Sequence, residues 1–495
     1  MTNPARVRFA PSPTGRLHIG GARTALYNYL LAKQTGGQFI LRLEDTDRKR
    51  FDPAAEGEIY ESLKWLGVSW DEGPDIGGDF GPYRQSERKQ IYRELIEELI
   101  DRGHAYYCFC SRERLAKLRQ QQQKRKEPTL YDGLCRKLPR EEADSWVQGG
   151  ESHVIRFKSP KEGTTTGIDL LRDPIQVENK TLDDFILIKS DGLPVYHFAA
   201  ISDDHLMKIT HVFRGSEWLP TFPLHVLIYQ AFEWQQPVWA HLSVFLNPTG
   251  KGKLSKRHAA DPKKGVKSVY VLDLQKMGYL PQAVNNWMAL MGWSYDDHTE
   301  LFTMPELIKA FSLEKLRPSP AAVNFSKLDH FNGIYIRKLS NQELTDSIQP
   351  FFKNAGYKTD STTLQSIAPL IQERIRTLAD ADEIAGFFFQ TAIDPPTIEL
   401  IGKGMTTNET VIAAEMAHKR IGLLDLAEHE AVEADLRRLA EELSLKPGQL
   451  FGILRLAITG QKVSPPLIET MDIVGKSLVL SRISDAVQKL KEMDN

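Results

Sequence analysis

Pro11-Ser12-Pro13-Thr14-Gly15-Arg16-Leu17-His18-Ile19-Gly20-Gly21 is the stretch that decides how the first part of the chain folds. The extended run 6–9 precedes it, and apolar positions spaced three and four apart predict a helix after it, ended by Gly36-Gly37. A strand, a glycine-rich loop and a helix start place unpaired backbone N–H groups and the positive end of a helix dipole together, which suits phosphate. The stretch therefore predicts a site for a nucleotide such as ATP, with His18 as an additional donor.

The same string resembles the first signature of the class I aminoacyl-tRNA synthetases, which is His-Ile-Gly-His in its commonest form. Its Pro-Ser-Pro-Thr-Gly lead-in is specific to the glutamyl and glutaminyl branch, and Gly21 replaces the second His, as is common in the glutamyl enzymes. A surface loop with an incidental histidine is the alternative for His-Ile-Gly-Gly alone. The resemblance implies a catalytic role for His18 and ATP binding by Pro11, Thr14, Gly15, His18, Gly20 and Gly21.

The composition excludes several other classes of protein. The 495 residues carry 63 Lys and Arg against 65 Asp and Glu, so the net charge of −2 gives no overall nucleic-acid signal and any basic surface is local. Three cysteines are too few for a disulfide scaffold. No apolar run reaches the roughly 18 residues that span a bilayer, and no signal-peptide pattern is present. We expect a cytoplasmic protein without a membrane partner, with roughly three domains of about 150 residues.

Carboxylates follow a second predicted strand, 39–43, in the block Glu44-Asp45-Thr46-Asp47. Ligands of open parallel sheets bind beyond the carboxyl ends of the strands, although a helix-capping turn would explain the same residues.

Further along, Asp52-Pro53 predicts the start of a helix, and Ser86 predicts the cap of the next one. The run 194–199 is expected to return the chain to the sheet as a strand.

The blocks around Glu44, Tyr196 and Arg214 match those of the glutamyl-tRNA synthetases. By this resemblance, Glu44 holds the α-amino group of the substrate glutamate. The side chain of that substrate is surrounded by Arg8, Ser12, Tyr196 and Arg214. Arginine suits this task because its fork of N–H donors recognises a carboxylate bidentately.

A basic loop follows at 250–257, and composition alone would fit a linker or a nonspecific patch. Its segment Lys253-Leu254-Ser255-Lys256-Arg257 resembles the second class I signature, Lys-Met-Ser-Lys-Ser, in the expected order along the chain. Loop lysines can neutralise the charge that develops on a triphosphate under attack. We therefore expect Lys253, Ser255 and Lys256 to bind ATP, with Lys253 and Lys256 catalytic.

The three cysteines of the chain, Cys108, Cys110 and Cys135, fall within one short window. Two thiolates on a strand and a third on a loop could share a structural Zn²⁺ with a fourth ligand, whereas three ordinary small apolar residues are the alternative. Many bacterial relatives use a His two residues after the last Cys, where this chain has Lys137. A resemblance to the glutamyl-Q tRNA(Asp) synthetases favours Tyr131 as the fourth ligand.

Two regions suggest contact with RNA. Residues 111–140 hold ten Lys and Arg against three Asp and Glu, which is usually a solvated face, but in the family this insertion receives the acceptor end of tRNA. From 272 onward the pattern is helical, with Pro-Pro breaks at 395 and 465, and the resemblance implies anticodon-binding helical lobes. It also implies tRNA contacts at Asp47, Lys189, Arg374 and Arg376, and an ordinary surface position is the alternative for the last two.

These features predict an α/β catalytic domain with a Rossmann-like parallel sheet, an α+β insertion, and all-α C-terminal lobes. The expected domains are 1–88 for the first half of the catalytic domain, 89–195 for an inserted acceptor-end-binding domain with the zinc site, 196–248 for the second catalytic half, 249–330 for the signature loop and a helical stem-contact domain, and 331–495 for a helical anticodon-binding domain.

The resemblance covers essentially the whole chain and implies a monomeric enzyme of the bacterial glutamyl-tRNA synthetase type. Its substrates would be L-glutamate, ATP with Mg²⁺, and tRNA(Glu), and whether tRNA(Gln) is also charged stays open. Two related enzymes are alternatives that the helical second half of this chain speaks against. A glutamyl-Q tRNA(Asp) synthetase lacks such a second half, and a glutaminyl-tRNA synthetase has β-barrel anticodon lobes in its place. A non-catalytic tRNA-binding paralogue is the remaining alternative, against which the intact His18, Lys253 and Lys256 speak.

Overall fold

A computed structural model describes residues 3–47, 49–254 and 265–493 of the chain. The chain divides into two compact units: unit 1 comprises Met1–Leu274 and Val284–Phe325, and unit 2 comprises Gln275–Ala283 and Ser326–Asn495. Among the helices of the described ranges, none combines the length and the apolar character needed to cross a lipid bilayer.

The strands all belong to unit 1. They are β1 (Arg6–Phe9), β2 (Gln38–Leu41), β3 (Ala105–Cys108), β4 (Val154–Phe157), β5 (Thr164–Gly167), β6 (Ile175–Glu178), β7 (Ile186–Ile188), β8 (His211–Gly215), β9 (Val238–Leu242), β10 (Phe245–Leu246) and β11 (Ala321–Ala322).

The helices alternate with these strands and then continue alone. Up to residue 310 they are α1 (Ile19–Thr35), α2 (Pro53–Trp65), α3 (Lys89–Asp101), α4 (Arg112–Lys124), α5 (Arg140–Gln148), α6 (Tyr196–Leu206), α7 (Phe222–Ala231), α8 (Val271–Lys276), α9 (Pro281–Ala289) and α10 (Met304–Ala310). From residue 325 they are α11 (Phe325–Arg337), α12 (Asn341–Asn354), α13 (Ser361–Ile371), α14 (Asp380–Ala385), α15 (Thr397–Leu400), α16 (Thr407–Leu423), α17 (His429–Glu442), α18 (Pro447–Thr459), α19 (Leu467–Val474) and α20 (Lys476–Met493).

Parallel strands form the centre of unit 1. Strand β1 pairs in parallel with β2, and β8 pairs in parallel with β9, with Arg214 opposite His241. The N–H of Thr210 donates to the carbonyl of Arg6 at 2.8 Å, which joins the start of β8 to β1. These pairings confirm the predicted parallel sheet, and they bring the carboxyl ends of β1, β2 and β8 to one edge.

The first helix forms as its local signals predict. His18 caps its N-terminus by accepting the N–H of Gly20 on Nδ1 at 2.9 Å. Gly36 ends it in the left-handed conformation, with φ of 66°, which glycine adopts without strain. At Gly37 an added Cβ would lie 1.9 Å from the carbonyl oxygen of Ala5, so only glycine lets the chain pass β1 at this distance.

Between the two parallel pairs lies an insertion of mixed structure. Strands β3, β4 and β7 form an antiparallel sheet, and β5 and β6 form a hairpin. The sheet buries Tyr107, Phe157 and Leu187 in a shared hydrophobic core, whereas helix α4 buries no residue. The predicted α+β insertion is thereby confirmed, and its basic helix is a solvated face.

The described residues of unit 2 contain helices and no strand, which confirms the predicted all-α second half. A core of Leu436, Leu454 and Ile483 holds helices α17, α18 and α20 together. Pro396 and Pro466 stand at the N-caps of α15 and α19, so the two predicted proline breaks are helix starts.

Two predictions of local structure were wrong. Ser86 does not cap a helix: its N–H and hydroxyl donate to Asp45 at 2.7 and 2.6 Å, and α3 begins after it, at Lys89. The run 194–199 is not a strand, because Tyr196 is the first residue of α6. Ser86 was mispredicted because its partner, Asp45, is distant in the sequence. The run 194–199 was mispredicted because α6 starts without a side-chain cap.

Candidate active site

The N-terminus of α1 forms one wall of the site. His18 is fixed as the N-cap, and Gly20 and Gly21 lie in the first turn, where the helix dipole is positive. The N–H of Ile19 donates to the carbonyl of Val269 at 2.9 Å and that of Gly20 donates to His18, so the N–H of Gly21 is the first-turn donor without a partner among the described residues. An added Cβ at Gly21 would lie 3.2 Å from Leu17 Cδ1 and 3.7 Å from Phe9 Cζ. The glycine that replaces the second His of the signature is therefore closely packed.

A cavity of about 1380 Å³ opens at this helix start, within unit 1. This volume exceeds that of a typical single-ligand pocket, so two ligands can lie side by side. Pro11 supports the cavity through its carbonyl, which accepts the N–H of Glu44 at 3.0 Å, and Gly15 lies in the same loop. The predicted residues that line the cavity are Arg8, Ser12, Thr14, His18, Gly20, Gly21, Glu44, Asp47, Lys189, Tyr196, Arg214 and Lys253.

A buried cluster of charges forms the floor. Arg8 donates to both carboxylate oxygens of Asp204, from Nε at 2.9 Å and from Nη2 at 3.1 Å. Arg42 donates to Asp204 at 2.8 Å and to Glu44 at 3.2 Å. Burial raises the pKa of Glu44 to about 7, although Arg42 and Arg8 favour its ionised form. Burial also opposes ionisation of Asp204, but Arg8 and Arg42 outweigh it and hold that pKa below its usual value.

Arg214 and Tyr196 face the same cavity from β8 and α6. The ring of Tyr196 stacks on Trp218 at 4.2 Å between centroids, and burial raises the pKa of its hydroxyl, which stays protonated. The guanidinium of Arg214 is buried over Trp239, with Cζ 4.9 Å from the ring centroid. Burial lowers the pKa of Arg214 because, unlike Arg8, it has no carboxylate in hydrogen-bond contact among the described residues.

Lys253 reaches the cavity from the opposite side. Its Nζ lies 3.6 Å from Glu217 Oε1, and both side chains are half-exposed, so the pair is weak and the ammonium can turn toward a phosphate. Ser255 and Lys256, the other two predicted residues of this signature, lie outside the described residues. The described part of the two signatures, His18 and Lys253, thus shares one cavity.

The three cysteines come together as predicted. Their Sγ atoms lie within 4.8 Å of one another, with 3.6 Å between Cys110 and Cys135. The hydroxyl of Tyr131 lies 3.5 Å from Cys108 Sγ and 3.4 Å from Cys110 Sγ. A tetrahedral Zn²⁺ with bonds of about 2.3 Å to sulfur and about 2.0 Å to oxygen separates two sulfurs by about 3.8 Å and a sulfur from an oxygen by about 3.5 Å. The three distances of 3.6, 3.5 and 3.4 Å are close to those between the ligands of such a zinc ion.

The predicted tRNA residues divide between the two units. In unit 1, Lys189 lies 3.3 Å from the carboxylate of Asp191, and Asp47 pairs with Arg50 at 2.7 Å. In unit 2, Arg374 and Arg376 are exposed on either side of Ile375, which is 1% exposed. Both arginines are therefore accessible to a partner, as the prediction requires.

Several residues that hold the site in place carry no motif in the sequence. Asp204 anchors Arg8 and Arg42, and Asp203 accepts from Arg88 at 2.6 Å and from Tyr92 at 2.9 Å. The signal was available, because the two acidic residues follow the apolar run 198–201 closely, and acidic residues need cationic partners when they are buried. His225 and His241, which contact Arg214, carried no such signal.

Comparison with protein families matches both parts of the chain. Residues 4–330 match the family described as tRNA synthetases class I (E and Q), catalytic domain. Residues 343–487 match the family described as anticodon binding domain.

Relatives match the chain over its whole length. The glutamate–tRNA ligase of Dehalococcoides mccartyi is 45% identical over 498 residues, covering 100% of both chains. That of Chloroflexus aurantiacus is 46% identical over 507 residues, covering 100% of this chain and 99% of the relative. The crystal structure of a glutamate tRNA ligase from Elizabethkingia meningosepticum in complex with its amino acid is similar with a TM-score of 0.89 at 38% identity, covering 99% of this chain and 100% of that chain.

Proposed function

The chain belongs to the class I tRNA synthetases of the glutamate and glutamine type, and from that premise we propose that it is a glutamate–tRNA ligase. In the first step, an oxygen of the α-carboxylate of L-glutamate attacks the α-phosphorus of ATP, and pyrophosphate leaves. In the second step, the terminal ribose hydroxyl of tRNA(Glu) attacks the acyl carbon of glutamyl-adenylate, which gives glutamyl-tRNA, AMP and a proton. The observation that carries the proposal is one cavity that joins an anion-binding helix start to two buried arginines.

Positioning and charge supply the chemistry at the phosphate end. The first turn of α1, capped by His18, would offer the N–H of Gly21 and a positive dipole end to the phosphates of ATP. Lys253, together with Lys256 of the same signature, would neutralise the charge that builds on the departing pyrophosphate. Mg²⁺ bound with ATP would supply further charge neutralisation. No side chain has to act as a nucleophile, because the substrate carboxylate attacks directly.

At the amino acid end, the two buried arginines differ. Three of the five N–H donors of Arg8 are taken by Asp204 and by the carbonyl of Phe213, so two remain for a ligand. Among the described residues no carboxylate contacts Arg214, so its charge would be available to the side-chain carboxylate of glutamate. Glu44, when ionised, would hold the α-ammonium group from the opposite side, and Ser12 and Tyr196 complete this wall.

A structural Zn²⁺ held by Cys108, Cys110, Tyr131 and Cys135 is part of the proposal. Besides the spacing of the four ligand atoms, the surrounding charge supports it. The guanidinium of Arg156 lies 4.2 Å from the ring centroid of Tyr131, so a cation stands beside the ligands. Such a cation would offset the negative charge of three thiolates and a phenolate around one divalent ion.

The tRNA side of the proposal assigns a role to each unit. The inserted region 89–195 would receive the acceptor end, helped by Lys189 and Asp47 at the cavity rim. The helical region 331–495 would bind the anticodon, with Arg374 or Arg376 reading a base, and 249–330 would contact the stem between them. The catalytic domain would comprise 1–88 and 196–248. We also propose a monomer that acts in the cytoplasm.

Aminoacylation with labelled glutamate tests the proposal, using purified tRNA(Glu) and tRNA(Gln) in separate reactions. Charging of tRNA(Glu) alone identifies a discriminating ligase and supports base reading by Arg374 or Arg376. Charging of both identifies a non-discriminating ligase. Binding of tRNA without any charging would overturn the enzyme and favour the non-catalytic tRNA-binding paralogue.

A further inference from the structure

The guanidinium of Arg214 is held by two histidines. Its Nε donates to Nε2 of His241 at 2.8 Å, and its Nη1 donates to Nδ1 of His225 at 2.6 Å. A guanidinium has donors only, so both of these imidazole nitrogens must be unprotonated acceptors. Each histidine is therefore neutral, and the nitrogen that carries its proton is the other one.

The second partners of the histidines agree with this protonation. Nδ1 of His241 donates to Asp169 at 2.6 Å, and Asp169 is itself fixed by the backbone N–H of His241 at 3.0 Å and of Leu171 at 3.1 Å. Nε2 of His225 lies 2.8 Å from Nδ1 of His197 and donates to it. The groups Asp169, His241, Arg214, His225 and His197 thus form a continuous hydrogen-bonded row, here called the histidine row.

Burial makes the histidine row rigid. His225 and His241 are both 0% exposed, and the parallel register of β8 and β9 places His241 directly opposite Arg214. Burial and the neighbouring guanidinium lower the pKa of His225 well below its ordinary value, which keeps it neutral. Nη2 of Arg214 is buried and makes no hydrogen bond of normal geometry with any described residue, although the Tyr196 hydroxyl interacts with the guanidinium.

We propose that His225 and His241 are positioning residues that make Arg214 selective for a carboxylate. The two histidines accept hydrogen bonds from Nε and Nη1 of the guanidinium, which leaves Nη2 to donate to the ligand. Because both partners are neutral, the charge of Arg214 stays uncompensated until a carboxylate arrives, whereas a neutral amide such as the side chain of glutamine leaves it unpaired. This inference rests on the proposed glutamate site, and it adds that the selectivity is set by the histidine row.

Paired isosteric substitutions test it, because asparagine can place its amide oxygen near the position of Nδ1 and glutamine near that of Nε2. Arg214 is contacted through Nδ1 of His225 and through Nε2 of His241. His225→Asn and His241→Gln, here called the keeping variants, should therefore keep the hydrogen-bond acceptor for Arg214. His225→Gln and His241→Asn, here called the losing variants, should lose it. The losing variants should raise the glutamate KM by about tenfold or more, the effect of a lost hydrogen bond to a charged group.

The measurement is the kinetics of tRNA(Glu) charging, with glutamate and ATP varied separately and glutamine as the competing amino acid. In the losing variants, the ATP KM and kcat should stay near wild type, and the preference for glutamate over glutamine should fall with the rise in KM. The keeping variants should remain close to wild type in all of these parameters. Thermal melting shows whether each variant is folded.

The outcomes separate this inference from the proposed function. A wild type that does not charge glutamate overturns the proposed function itself. An active wild type whose isosteres behave alike, or in the reverse order, overturns the role of the histidine row. If the buried variants do not fold, the half-buried His197 decides: His197→Ala should raise the glutamate KM by about fivefold and His197→Asn should not, and equal values for the two overturn the inference.

Discussion

Glutamate binding should weaken as the pH falls through 7, because of Glu44. Burial raises the pKa of this carboxyl to about 7, so it is mostly neutral below that pH and mostly ionised above it. The charged groups around it are Arg8, Arg42 and Asp204, and the Tyr196 hydroxyl faces it as well. Neighbouring carboxylates raise the pKa of Arg42, which stays protonated, and Asp204 stays ionised in this range, so Glu44 is the group that titrates.

The magnitude follows from the ionised fraction. With a pKa of about 7, roughly 9% of Glu44 is ionised at pH 6 and roughly 91% at pH 8, and the apparent dissociation constant scales inversely with the competent fraction. The glutamate KM should therefore be about tenfold higher at pH 6 than at pH 8 if the ionised carboxylate binds the α-ammonium group. The α-ammonium and the carboxylates of free glutamate do not titrate between these values.

The assay is ATP–pyrophosphate exchange in the presence of tRNA(Glu), with the glutamate KM measured from pH 5.5 to 8.5 at saturating ATP. The ATP KM over the same range is the internal control. The matched variant is Glu44→Gln, which keeps the shape of the side chain and removes the titration, so its glutamate KM should be high and independent of pH. A flat profile in the wild type, or an unchanged slope in Glu44→Gln, would refute the assignment of Glu44 to the ammonium group.

Four further predictions concern other parts of the chain. Arg8→Ala should raise the glutamate KM far more than the ATP KM in steady-state kinetics, and equal rises would contradict its role. Lys253→Ala should lower kcat for adenylate formation by about 10²-fold, whereas its exposed neighbour mutated as Lys251→Ala should not, and equal effects would argue against a catalytic Lys253. Tyr131→Phe should lose zinc to a chelator faster than wild type, measured by metal analysis after dialysis, and identical retention would exclude Tyr131 as a ligand. Thr406→Ala removes a helix cap and should cost about 1 kcal/mol in the free energy of unfolding, measured with denaturant on the full chain, whereas Asn408→Ala in the same helical turn should cost less.

Elements with short-range signals were predictable from the sequence. Helix α2 begins at Pro53, and Asp52 caps it by accepting the N–H of Ala54 at 2.9 Å, two residues away. Helix α1 likewise has its N-cap, His18, and its C-cap, Gly36, directly beside its first and last residues. Such elements can be predicted because the groups that satisfy their terminal N–H and C=O groups lie within a few positions.

Elements whose partners are distant could not be predicted. Ser86 has the chemistry of a helix cap, but its N–H and hydroxyl are taken by Asp45, which lies 41 residues before it. The sequence offers no means of weighing that contact against a local one. The same limit applies to the helix that starts at Tyr196, since no side chain caps its first turn.

Many of the predicted site residues line one cavity, but the contacts that hold them there could not be read from the sequence. The two signatures identify His18 and Lys253, and the structure places both at one cavity. The partner of Arg8 is Asp204, 196 residues away, and the partner of His241 is Asp169, 72 residues away. Only the folded chain shows that a carboxylate pairs with Arg8, whereas Arg214 contacts histidines and, within the described ranges, no carboxylate.

ATP–pyrophosphate exchange with tRNA(Glu) present tests most directly whether this cavity activates glutamate. The wild-type chain should catalyse exchange that depends on L-glutamate, with glutamine at the same concentration giving about 10²-fold less or lower, because glutamine leaves the buried charge of Arg214 unpaired. Exchange at equal rates with the two amino acids, or exchange with neither in the presence of tRNA(Glu), would contradict the account.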